Sequence, residues 1–156
     1  METSMRKTLT VTIDDENRDK GKIFVITEMD AWHAEKWAGR LLFAAMNAGV
    51  EIPDGISQAG MAGLATLGIQ ALTRIPFEAA EPLLDEMMGC VQIQPSPSVT
   101  RALIADDIEE VSTLIRLRRE TLKLHVEPFM KGVQSTSGPG DAKTQGSSNT
   151  STSQRR

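Results

Sequence analysis

Residues 51–125 read EIPDGISQAGMAGLATLGIQALTRIPFEAAEPLLDEMMGCVQIQPSPSVTRALIADDIEEVSTLIRLRRETLKLH. A segment crowded with small residues comes first, a proline-punctuated amphipathic segment follows, and a long apolar-periodic segment ends the run. Ser57 is placed to cap a helix over 58–72, in which Gly60, Gly63 and Gly68 each cost about 1 kcal/mol against alanine. Three glycines in one helix imply close approach of another backbone: either the preceding helix of the same chain, or a partner or second copy. Pro76 suits the first turn of a helix reaching residue 88, with Leu83, Leu84, Met87 and Met88 on its apolar face and Pro82 expected to kink or split it. Residues 90–94, the PSPS turn and residues 99–104 read as a hairpin. Asp106 and Glu109 have capping-box spacing for a last helix over 107–126, with Pro128 as its stop. Its stripe is Ile108, Val111, Ile115 and Leu122, widened by Leu114, Leu117 and Leu124.

Upstream, residues 7–13 alternate: Leu9, Val11 and Ile13 fall on one side, Thr8, Thr10 and Thr12 on the other. That is the period of a half-buried strand. The polar run DDENRDKG leads to a second strand over 22–29, completing an N-terminal hairpin. Asp30 is an N-cap for a helix over 31–48 closed by Gly49. Trp32 and Trp37, five apart, cannot face one core together, so one packs inside and the other lies exposed. The expected fold is α+β and mainly helical, with about four helices and two short β-hairpins. Residues 1–131 form a single domain. Residues 132–156 are Ser/Thr/Gly-rich, hold almost no apolar side chain and are expected to be a disordered tail.

The net charge of −4 argues against a nucleic-acid binder, which needs a basic field. Arg116, Arg118, Arg119 and Lys123 do cluster, but at the end of a helix that begins with Asp106, Asp107, Glu109 and Glu110. Acid first and base last is the order the helix dipole favours, and the cluster is read that way, with a binding patch as the alternative. The single cysteine, Cys90, excludes an internal disulfide and fits a reducing compartment; its apolar neighbours make it a buried, inert thiol. No apolar stretch near the start resembles a signal peptide. The longest weakly polar run, 59–72, falls short of the roughly 20 residues that span a bilayer. No membrane association is expected.

Reactive chemistry is sparse. His33 and His125 are too few for a zinc site and read as ordinary helix residues. The carboxylate pairs Asp14–Asp15, Asp85–Glu86, Asp106–Asp107 and Glu109–Glu110 fall in a turn, on an exposed helix face and at a helix start, without the contrasting environments that acid–base work requires. The glycines match no phosphate-binding loop and the serines no nucleophile elbow. No catalytic, cofactor-binding or metal-ligating residue is assigned, and the chain is expected not to be an enzyme. Interaction features are better represented. Eight methionines serve either as core gap-fillers or as an adaptable apolar surface.

The segments KIFVITEMDAWHAEKWAGRLL, EIPDGISQAGMAGLATLGIQAL, EAAEPLLDEMMGCVQI and DDIEEVSTLIRLRRETLKLH, within residues 22–125, resemble the tail assembly chaperones of long-tailed bacteriophages and their prophages. The resemblance is one of whole segments rather than of a catalytic signature. It implies a small non-enzymatic protein of the host cytoplasm, absent from the finished virion. Such a protein binds the tape measure protein, keeps its apolar helices soluble and helps to recruit tail tube protein. A longer form made by ribosomal frameshifting is common in such systems. The alternative is a structural tail or head–tail connector subunit that stays in the virion as a ring. A second copy of the chain is a further candidate partner. The residues expected to meet a partner are Met61, Leu64, Leu67, Leu84, Met87, Met88, Leu114 and Leu117.

Overall fold

A computed structural model of the chain describes residues 5–51 and 73–135. The expected helix over 58–72 therefore lies outside the described residues, as does the tail beyond Ser135. The elements are β1 (Thr8–Thr12), β2 (Ile23–Thr27), α1 (Ala31–Asn47), α2 (Phe77–Met88), β3 (Val91–Ser96), β4 (Val99–Ala102), a 3-10 turn (Ala105–Asp107) and α3 (Val111–Ser135).

The expectation of about four helices and two separate hairpins is corrected. Among the described residues there are three α-helices, and the strands form one antiparallel sheet in the order β1-β2-β3-β4. The hairpins join because β2 and β3 pair, with Phe24 opposite Ile93 and Ile26 opposite Val91. Each hairpin alone would leave an inner edge of unpaired N–H and C=O groups beside the core, and joining them satisfies both edges. The fold remains α+β, with about half of the described residues helical rather than most of them.

The register places Val11 beside Phe24 and Phe24 beside Ile93, so the apolar residues of three strands share one face. With Leu9, Ile26 and Val91 they meet Trp37, Ala38, Leu41 and Leu42 of α1, Leu83 and Met87 of α2, and Leu117, Leu122 and Val126 of α3 in a single core. The opposite face carries Thr10, Val25, Gln92 and Ala102 in one row across the sheet.

α1 has the ends its sequence announces. The Asp30 side chain accepts from the His33 N–H at 2.9 Å, and that bond holds its carboxyl below the usual range. At the other end Gly49 adopts φ +83°, its N–H donating to the Met46 carbonyl and the Val50 N–H to the Ala45 carbonyl, both at 3.0 Å. Those two bonds make a Schellman closure, which calls for a residue tolerant of the left-handed region. α2 runs unbroken through Pro82 and is not split into two pieces.

α3 departs most from expectation. It begins at Val111, and Pro128 lies inside it rather than ending it. The Asp106–Glu109 capping box does not form. Asp107 instead accepts both guanidinium N–H groups of Arg101, each at 2.8 Å, and the Ile104 N–H at 2.8 Å. The start of α3 is served from the β1–β2 loop: buried Asp19 accepts the N–H groups of Glu109 (3.0 Å) and Glu110 (2.9 Å) and the Lys22 ammonium (2.8 Å). A carboxylate there also complements the positive end of the helix dipole.

Further along α3, His125 is buried and uses both ring nitrogens. Nδ1 donates to the Thr121 carbonyl (2.7 Å) and Nε2 accepts the Met29 N–H (2.8 Å). A carbonyl can only accept and a backbone N–H can only donate, so these partners define a neutral ring protonated at Nδ1. Asp19 and His125 thus pin α3 alongside β2. The spans agree: Val111 to His125 is about 21 Å of helix, and Lys22 to Met29 about 23 Å of strand. His125→Leu would strand the buried Met29 N–H, and a loss of about 1–3 kcal/mol is expected in urea unfolding at neutral pH.

The buried face of α3 is also not the expected stripe. Thr113, Leu117, Thr121, Leu122, His125 and Val126 are buried, while Val111 and Ile115 are 71% and 55% exposed. The Thr121 hydroxyl donates to the Leu117 carbonyl one turn back (2.8 Å), so it enters the core already satisfied.

Candidate functional site

The site worth describing is a groove of about 420 Å³ where α1, α2 and α3 converge. α1 contributes Trp37 and Leu41. The Trp37 indole N–H donates to the Leu83 carbonyl at 3.0 Å, which fixes the ring between α1 and α2. Leu83, Leu84 and Met87 of α2 form a second wall, with Ile75 just before it. α3 supplies Ile115, Arg118, Arg119 and Leu122, spaced by three or four residues and so on one helical face. A clamp beside the groove holds α1 to α2: Glu86 accepts from Arg40 Nη2 at 2.7 Å and pairs with His33 Nε2. The Arg40 guanidinium draws the Glu86 carboxyl below its usual range.

The expected contact residues divide. Leu84 and Met87 line this groove. Met87, however, is almost wholly buried and belongs to the core. Leu117 is fully buried and is corrected to a core residue, because it sits on the α3 face turned to the sheet. Met88 and Leu114 line a second hollow of about 440 Å³, with Leu103, Ile104 and Ile108, which Arg118 borders as well. Met61, Leu64 and Leu67 lie outside the described residues.

Arg118 and Arg119 are the groove residues that the sequence reading set aside. With α3 running from Val111 to Ser135 they stand in its first third, far from the C-terminal end where the dipole favours cations, so the dipole does not account for them. Among the described residues neither makes an ion pair, and the buried Nε of Arg118 has no hydrogen-bond partner. The sequence held one signal for this placement: Val126, Phe129, Met130 and Val133 continue the three-to-four spacing past Pro128.

Cys90 lies in a hollow with His33 and Glu86, a composition that invites a nucleophile reading. Burial, reinforced by the Glu86 charge, pushes the thiol up to about 11, so it stays protonated at neutral pH and its surroundings do not activate it. Among the described residues there is no group of histidine, cysteine and carboxylate side chains placed to hold a metal ion. No described helix is long and apolar enough to cross a membrane.

The class this geometry defines is an α+β domain: an antiparallel four-stranded sheet covered on one face by helices, with an apolar groove among those helices. No family model matches the chain, and searches of curated proteins and of solved structures return no significant match.

Proposed function

We propose that this chain is a non-enzymatic chaperone of the phage tail assembly type, one that shields an apolar helix of a tape measure protein in the groove among α1, α2 and α3 while tail tube protein is recruited. The observation that carries the proposal is that groove. It is floored by Leu, Met and Trp side chains and lipped by an Ile115 that is more than half exposed. Helix-in-groove recognition needs an apolar trough of this kind and no reactive group. The segment resemblance within residues 22–125 selects the tail assembly class among helix-binding adaptors, and with it action in the host cytoplasm and absence from the virion.

A second reading has its own observation. On α1, Trp32, Phe43 and Met46 are exposed at seam-like spacing, with Gly39 between them and open space where a Cβ would stand. Such a stripe suits a second copy, as in a ring subunit retained in the particle. Affinity capture of the tagged chain from phage-producing cells, with protein analysis of purified virions, separates the two readings. Tape measure protein in the captured fraction, and none of this chain in virions, is expected. Stoichiometric presence in virions would replace the chaperone with a structural subunit.

A further inference from the structure

We propose that the groove selects for charge as well as for apolarity, and takes an amphipathic helix carrying a carboxylate beside its apolar stripe. This rests on the helix-binding reading above and names the chemistry of the partner. Arg118 and Arg119 stand on the groove face of α3 between Ile115 and Leu122. Four other arginines are committed: Arg18 to Glu110, Arg40 to Glu86, Arg101 to Asp107 and Arg116 to Asp14 and Asp15. Arg118 and Arg119 have no such partner among the described residues, and the Nε of Arg118 is buried without an acceptor. A buried donor without an acceptor is costly, and a guanidinium fork is shaped for a carboxylate. A helix seated on Trp37, Leu83 and Leu84 brings the flank of its apolar stripe to these arginines. An Asp or Glu on that flank supplies the missing acceptors.

The test uses the full chain and three labelled helical peptides with the same Leu/Ala stripe, flanked by Glu, Gln or Lys, with binding read by fluorescence anisotropy. The Glu peptide is expected to bind about tenfold more tightly than the Gln peptide at low salt, with the advantage shrinking as salt is added. Arg118→Gln with Arg119→Gln should erase that advantage, so that the Glu and Gln peptides bind this variant equally. Arg118→Glu with Arg119→Glu should transfer the preference to the Lys peptide, a gain that an unfolded variant cannot produce. Equal affinity for the Glu and Gln peptides, or a preference untouched by either double variant, would overturn the proposal. If no peptide binds while tape measure protein is still captured from cells, the charge-reading groove is wrong and the chaperone reading survives. A concentration-dependent dimer in sedimentation that Arg118→Glu with Arg119→Glu dissociates would also overturn it, making the groove a contact between copies.

Discussion

Asp19→Ala is expected to destabilise the fold by roughly 3 kcal/mol, the largest loss for any single polar side chain described above. The carboxylate is fully buried, and it joins the β1–β2 loop to the start of α3 through the Lys22 ammonium and two backbone N–H groups. Removing it leaves the Glu109 and Glu110 N–H groups without an acceptor. Lys22 keeps Glu109 at 3.0 Å and the Asp107 carbonyl at 3.0 Å, which limits the damage on that side. Burial by itself pushes the Asp19 carboxyl up, but the Lys22 bond and the backbone donors outweigh it and hold the group at about 2, below its ordinary 3.8. A carboxyl depressed in the folded state contributes stability that is present above the unfolded value and lost as pH falls through the folded one. The advantage of the wild-type chain over Asp19→Asn should therefore be complete at pH 7 and shrink between about pH 4 and 2. Urea unfolding of both chains across that range measures it. A difference that does not change with pH would mean the carboxylate charge plays no part.

Ile115 and Leu117 are two residues apart on α3 and should behave oppositely. Ile115→Asp places a charge on the exposed lip of the groove and next to the two free arginines. The melting transition should move by no more than about 1 kcal/mol of stability, while binding of an apolar helix weakens at least about tenfold. Leu117 is fully buried against the sheet, so Leu117→Ala should cost about 2–5 kcal/mol and affect binding only through unfolding. Calorimetry and peptide anisotropy on the two variants give both numbers. Equal effects on stability would show that the exposed lip is part of the core, and the groove would lose its standing as a site.

How much of this was legible in the sequence depends on how local each feature is. The alternation of Leu9, Val11 and Ile13, the Asp30 cap and the Gly49 closure are written within a few residues and appear in the fold as read. That only one of the two tryptophans packs inside followed from helical geometry: Trp37 is buried and Trp32 is 82% exposed. The pairing of β2 with β3 joins residues nearly seventy apart, such as Phe24 and Ile93, and no local pattern announces it. The start of α3 was misread for the same reason, because its carboxylate comes from Asp19, 90 residues upstream of Glu109, while the nearby Asp107 is taken by Arg101. The stripe on α3 was misread because Thr113, Thr121 and His125 look solvent-facing by hydropathy, whereas the latter two satisfy themselves on their own helix and on Met29. Arg118 and Arg119 were given first to the helix dipole, and to a binding patch only second, because Pro128 was taken to end the helix. A single proline forfeits one backbone bond, and α3 runs through it to Ser135.

The most direct test is co-production of a tape measure protein with the full-length chain, measuring the fraction of the former that stays in the cleared lysate. The tape measure protein is expected to be soluble with the wild-type chain and to pellet both alone and beside Ile115→Asp. Equal solubility in all three cases would contradict a shielding role for the groove.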